Sequence, residues 1–282
     1  MNNQEHNEEL AELSGDNADD STDVALSPGA NADLLSDVER YISPEVRTLY
    51  DVFSYRHAAS ILANSYPQQL QEIERALVDF KITLRDIGMP GGNESDIPKR
   101  FSRFLRPLGW IETRIQGDLL VRMQEYDEKI SGDGKLIKIK RTDERERRIE
   151  NFIDGHKIDY VKDRVAFDLE WNSKDQTFDR DLYALRTFHE CGLIGAGVLV
   201  TRSASLNQVF DATPQLDKRG QPELIVNGKK AGQVKSVRAK YGASTTWMGK
   251  LLYRLNAGRH GGCPILVFGI TPRSISDWNP HR

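Results

Sequence analysis

Residues 156–172, HKIDYVKDRVAFDLEWN, constrain the fold of this chain more than any other stretch. If His156 to Val161 and Arg164 to Trp171 are two strands joined by a Lys162-Asp163 turn, side chains alternate between the two faces. Asp159, Asp168 and Glu170 then share one face, while Ile158, Tyr160, Val165, Phe167, Leu169 and Trp171 occupy the other. The apolar face packs on a core. The acidic face concentrates like charges that repel one another unless a cation lies between them, and Mg2+ binds through oxygen ligands of this kind. A half-exposed strand with a solvated outer face has the same alternation, so the pattern alone leaves both readings open.

The rest of the chain weighs on that choice. Eleven Asp and Glu and no Lys or Arg fall in residues 1–39, which leaves 39 bases against 31 acids beyond them, a balance of about +8. Between Glu223 and Asp277 there is no acid, whereas Lys229, Lys230, Lys235, Arg238, Lys240, Lys250, Arg254, Arg259 and Arg273 all lie inside. A basic stretch of that kind suits a phosphate-bearing partner. No apolar run is long enough to cross a bilayer and the N-terminus is acidic and polar, so a soluble, cytoplasmic protein without membrane contact is expected. Cys191 and Cys263 lack metal-ligand spacing and are expected as buried free thiols.

In chain order, residues 1–40 have too little apolar content to order and are expected as an acidic disordered tail. A single domain over 41–282 is expected to follow, with parts at 41–150, 151–202 and 203–282. Ser43-Pro44-Glu45 starts a helix expected to run through Leu49, Val52, Tyr55 and Ala59 towards Leu62, and Tyr66-Pro67 starts another. Gly88 to Ser95 is a flexible break before a short basic helix from Ile97-Pro98. The segments WIETRI, LLVRM and KLIKIK alternate as strands, with a loop at Ser131 to Gly134, and TDERERRIENF reads as a charged helix.

Past the acidic hairpin, Asp179 opens an amphipathic helix that Gly192 closes, and GAGVLVTR reads as a buried strand. Ser244, Thr245 or Thr246 is expected to cap a helix with Trp247, Leu251 and Leu255 on one side and Lys250 and Arg254 on the other; PILVFGI is a last buried strand. GASTT is a credible phosphate contact, and an ordinary helix cap accounts for it equally well.

The order acid, eight residues, acid-x-acid on a strand, D-x8-D-L-E, resembles the PD-(D/E)xK nuclease fold. More narrowly, SYRHAASIL, IDYVKDRVAFDLEW followed by a helix and GAGVLVTR, and GGCPILVFGIT are similar to type II restriction endonucleases of the BglII and BstYI group, which is BamHI-like; the resemblance covers about residues 45–275. It implies an α/β fold with a PD-(D/E)xK restriction-endonuclease-like core, a central mixed β-sheet flanked by helices.

It further implies Mg2+-dependent hydrolysis of double-stranded DNA at a short palindrome that contains GATC, a homodimer, and a companion DNA methyltransferase. Asp159 matches the first metal ligand, Asp168 the second, and the Leu169 carbonyl a third. Glu170 matches the position where many nucleases of this fold have Lys and this group has Glu or Gln, and would act on the attacking water. A register with Glu170 and Asn172 as the E-x-N pair is the alternative.

Glu144, Glu146 or Glu150 is expected to add an acid from a preceding helix. Lys240, Ser244, Thr245, Thr246, Lys250 and Arg254 are the expected DNA contacts, with base-reading residues in Ser203 to Gln208 and Lys240 to Thr246. A low-specificity repair nuclease, and a DNA-binding protein whose acids are structural, remain as alternatives.

Overall fold

The structure, a computed structural model, describes residues 23–90, 96–242 and 244–279. In chain order it forms α1 (Leu35–Tyr41), α2 (Pro44–Leu49), β1 (Tyr50–Tyr55), α3 (Ala58–Ser65), α4 (Pro67–Asp79), α5 (Leu84–Gly88) and α6 (Asp96–Leu105). The strands β2 (Ile111–Arg114), β3 (Gly117–Met123), β4 (Tyr126–Ile130), β5 (Leu136–Lys140), β6 (Arg145–Ile153), β7 (Lys157–Lys162) and β8 (Val165–Glu170) follow. The chain then continues through α7 (Thr177–Glu190), β9 (Ala196–Arg202), α8 (Asn207–Ala212), α9 (Met248–Asn256) and β10 (Ile265–Ile270).

Among the described residues two compact units result, one formed by those up to 112 together with those from 158 onward, the other by residues 113–157. The expected parts at 41–150, 151–202 and 203–282 do not coincide with these units. The larger unit is built on a six-stranded mixed sheet of order β1-β10-β9-β8-β7-β2, in which β10, β9 and β8 run parallel while β1 is antiparallel to β10 and β7 to β8. The expected α/β class, a central mixed sheet flanked by helices, is the one observed.

The sheet has two differently packed faces. Val165, Phe167 and Leu169 of β8, Val198 and Val200 of β9, and Leu266 and Phe268 of β10 enter one large apolar cluster with α4 and α6. There Phe101 stacks on Phe80 with ring centroids 4.5 Å apart and leans on Phe167 at 5.3 Å. The opposite face is covered by α7, whose buried residues Phe178, Asp181, Leu182, Ala184, Leu185 and Phe188 recur at helical spacing. Contact is close at Gly197, where a Cβ would stand 3.1 Å from both Leu185 methyl carbons and 3.0 Å from Ile265 Cδ1. Helix α7 is the crossover that two adjacent parallel strands require.

Three expectations about elements are corrected. The helix expected from Pro44 to Leu62 stops at Leu49, and Tyr50–Tyr55 is an edge strand paired with β10. Leu49, Val52, Tyr55 and Ala59 fit helical spacing, but pairing with a buried strand satisfies the backbone of YDVFSY, whose aromatic and branched residues suit a pleated surface. TDERERRIENF is strand β6 and not a helix, because β3 pairs with it from Gly117 to Met123. Its charges are used across the ribbon: Arg122 pairs with Glu146 at 2.8 Å, and Arg148 with Asp118.

The third concerns the acidic tail. Its first 22 residues lie outside the described residues, but residues 23–40 are bound to the body. Ala25 N donates to Gly249 O at 3.0 Å, Asn31 Nδ2 to Leu255 O at 2.8 Å, and Asn256 Nδ2 to Ser27 O at 3.1 Å. Of the expected break at Gly88 to Ser95, residues 91–95 also lie outside the described residues.

The smaller unit consists of two antiparallel ribbons, β3 with β6 and β4 with β5, the latter turning at Ser131 to Lys135. It exposes Leu120, Met123, Tyr126, Ile130, Leu136, Ile137, Ile139 and Phe152. Cys191 is exposed and Cys263 buried, which corrects the expectation of two buried thiols.

Candidate active site

Strands β7 and β8 form the expected hairpin, with its turn one residue later, at Asp163-Arg164. Asp163 takes the left-handed φ of +53° that begins this tight reversal, and Gln69 Nε2 donates to its carboxylate. Tyr160 pairs with Phe167 and Lys162 with Val165, so the register carried one step further sets Asp159 opposite Asp168. The later turn moves the pairing by two positions and leaves both faces as expected.

At the acids the ladder changes character. Asp159 N donates to the Asp168 side chain, at 2.8 Å to Oδ1. That bond fixes the Asp168 carboxylate against the neighbouring strand. Asp159 itself is exposed, Asp168 is buried at 6% exposure, and Glu170 is half-buried. Leu169, between the last two, is buried on the opposite face. The Glu170 carbonyl accepts from Thr201 Oγ1 at 2.8 Å, which ties the end of β8 to β9.

A fourth carboxylate was not anticipated from the sequence. Asp181 lies on the inward stripe of α7, 2% exposed, one turn before Leu185. Leu185 meets Gly197, the register partner of Ala166, on the face that also bears Asp168. Because α7 returns antiparallel to β8, one helical turn back, about 6 Å, corresponds to two strand residues onward, about 6.6 Å. Asp181 therefore stands over Asp168. The available signal was an acid on an otherwise apolar stripe of Phe178, Leu182, Leu185 and Phe188.

The electrostatics follow from this crowding. Burial, and then the charges of Asp181, Asp159 and Glu170, hold the Asp168 carboxyl well above the usual carboxylate range, against the Asp159 N–H bond that lowers it. Glu170 is pushed up to about 8, first by burial, then by Asp181 and Asp159, while Ser173 and Arg180 act the other way. Carboxyl groups crowded in this way favour whatever positive charge enters.

Among the described residues, no three His, Cys, Asp or Glu side chains form a group ready to hold a metal ion. The donor set nonetheless fits Mg2+, which keeps several waters and takes one or two protein carboxylates together with phosphate oxygens. Asp168 and the opposed Asp159 offer such a pair, with Glu170 beside them.

The other expected site residues are placed as follows. Glu144 pairs with Lys140 at 3.1 Å and Glu146 with Arg122 at 2.8 Å; both lie in the smaller unit with Glu150, and none is on a helix. Asn172, of the alternative register, has its Nδ2 3.4 Å from Lys240 O.

Lys240 Nζ donates to the carbonyls of Met89 at 2.6 Å and Ile87 at 3.2 Å, and burial lowers its pKa. Ser244 is exposed, Thr245 is half-buried with its Oγ1 donating to Gly242 O at 2.7 Å, and Thr246 is fully buried. None of the three caps α9, whose N-terminal flank is Trp247. Arg202 braces this segment from below, through Thr245 Oγ1 at 2.5 Å and Thr246 O at 2.7 Å, with Tyr241 under its guanidinium at 5.0 Å.

Lys250 and Arg254 do not form an outer basic side of α9. Both are buried, with Lys250 3.7 Å from Asp175 and Arg254 2.9 Å from Asp179. In the expected base-reading stretch, Gln208 and Ser205 are exposed, while Ser203 is buried against Asp51.

The family model described as restriction endonuclease BglII/BglIII matches residues 50–270. No curated protein matches the sequence.

Proposed function

The chain belongs to the BglII/BglIII restriction endonuclease family, and from that premise we propose that Asp159, Asp168 and Glu170 carry a Mg2+-dependent hydrolysis of double-stranded DNA. The burial of Asp168 is the observation that supports this reading best. A half-exposed strand with a solvated outer face would leave all three acids in water, whereas Asp168 is 6% exposed and crowded by other carboxylates. Such a position is costly for folding, and sites of this kind are characteristic of function.

Asp159 and Asp168 would hold the cation, with the Leu169 carbonyl as a third donor. When bound, Mg2+ neutralises charge that develops on the phosphate and acidifies bound water. Asp168 is held in place by the Asp159 N–H, so its orientation precedes binding. Glu170 would take the proton of the attacking water, as a carboxylate whose ionised form is favoured once a cation offsets the neighbouring acids Asp181 and Asp159. In this role Glu170 replaces the Lys of many nucleases with this fold.

DNA contacts fall to the exposed basic groups of the acid-free segment. Lys229, Lys230 and Arg238 are exposed there, along with Ser244. Lys240, Thr245 and Thr246 shape the same segment from inside. Recognition of a GATC-containing palindrome by a two-fold dimer, with a companion methyltransferase protecting host DNA, follows from the family reading. Among the described residues no helix is long and apolar enough to cross a membrane.

The test is digestion of a GATC-rich plasmid with Mg2+, with EDTA, and with Asp168→Asn. Discrete bands that need Mg2+ and vanish in the variant are expected, with DNA binding retained. A smear refutes site-specific cleavage. Cutting by Asp168→Asn at the wild-type rate refutes the site, and binding without cleavage in Mg2+ or Mn2+ refutes the enzyme.

A further inference from the structure

Helix α7 covers the acid-bearing face of the sheet with an apolar stripe that Asp181 interrupts. Three observations fix where that acid is. Leu185, one turn later, is packed where Gly197 leaves room, and Gly197 is the register partner of Ala166. Asp168 lies two residues beyond Ala166 on the same face, so its place under α7 is one turn before Leu185. Asp181 is 2% exposed, so its charge is not dispersed into solvent.

The nearest basic group on its own helix, Arg180, is 3.7 Å from Asp181 Oδ1 and is itself largely exposed. The strongest bases packed against α7 are directed elsewhere. Lys250 and Arg254 meet Asp175 and Asp179, and Arg259 also meets Asp179. The N-terminal turn of α7 is thus neutralised by α9, and Asp181, one turn further in with Arg180 beside it, lies on the side of α7 that meets Asp168.

We propose that Asp181 is a fourth carboxylate of the divalent-cation site, a positioning residue that raises cation affinity by adding its charge to those of Asp168 and Glu170. The inference rests on the reading of Asp159 and Asp168 as metal ligands. No three of these acids form a ready cage, so Asp181 acts through the field it adds and through the placement of Asp168. A residue with this role makes opposite contributions in two states: it crowds the empty site and favours the filled one.

The experiment measures Mn2+ binding to the full chain without DNA, by the loss of the free-ion electron paramagnetic resonance signal, together with thermal melting in EDTA. The proteins are wild type, Asp181→Asn, Asp181→Ser and Asp168→Asn. Asp181→Asn, nearly identical in shape, is expected to bind Mn2+ roughly tenfold more weakly. Its melting temperature in EDTA should equal or exceed that of wild type, because a like charge has been removed. Asp181→Ser covers the case in which the amide does not fit.

Wild-type affinity in either folded variant overturns the inference. So does weaker binding accompanied by a lower melting temperature in both, since that pattern belongs to a residue needed for packing. If Asp168→Asn also binds Mn2+ as wild type does, the metal site itself is misplaced; loss of binding in Asp168→Asn alone keeps the site and removes Asp181 from it.

Discussion

Replacing Glu170 with Gln should make the metal-free protein more stable in a pH-dependent way. In the native protein the Glu170 carboxyl is pushed up from its ordinary 4.5 to about 8, first by burial and then by Asp181 and Asp159. Between those two values the unfolded chain has released a proton that the folded protein still holds, so stability falls as pH rises. Below the lower value both states are protonated and the group costs nothing. Above the upper value both are ionised and the folded state bears the full cost.

At about 1.4 kcal/mol per pH unit, that rise sets an upper bound of about 5 kcal/mol. Asp168, Asp159 and Asp181 share the repulsion, so Gln should recover about 2–3 kcal/mol. Urea unfolding in EDTA reads the gain directly: about 2–3 kcal/mol at about pH 8.5, shrinking to under about 1 kcal/mol at about pH 5. A gain of equal size at both pH values, or none at the higher one, would refute the account. Added Mg2+ should narrow the gap, because a cation offsets the charge that Gln lacks.

Three further outcomes follow from particular contacts. Arg254→Met should lower stability by about 2 kcal/mol, or roughly 4–8 °C in melting temperature, by removing the buried guanidinium that Asp175 and Asp179 share and leaving them only Lys250 and Arg259. Its salt dependence of DNA binding should match wild type; a shallower slope would return Arg254 to a phosphate contact. Phe101→Ala should destabilise by about 3–4 kcal/mol in a denaturant titration, since its ring fills the space between Phe80 and the β8 residue Phe167. Lys229→Gln with Lys230→Gln should weaken DNA binding and lower the salt slope by up to about 2, leaving the melting temperature unchanged, because both side chains are exposed.

The sequence by itself determined the hairpin and its two faces. Alternation has a period of two, so Asp159, Asp168 and Glu170 share a side whichever of the two neighbouring turn positions closes the loop. It also determined α7, β9 and β10, whose apolar patterns have one reading each, and the residues that resemble the restriction endonuclease family. Spacing could not separate helix from strand at Tyr50–Tyr55 or Arg145–Ile153, where the decision came from partners distant in the chain, β10 and β3.

Charge was the quantity the sequence located least well. Lys250 and Arg254 look like an outer basic face until Asp175 and Asp179 are brought against them, and Lys240 looks exposed until its ammonium meets the carbonyls of Ile87 and Met89. Asp181 stood out only as an acid on an apolar stripe until the crossover laid α7 over β8. Only the tertiary structure decides which charges lose their water, because burial and opposition are set by elements that meet in space, and that desolvation distinguishes Asp168 from an acid on a solvated strand.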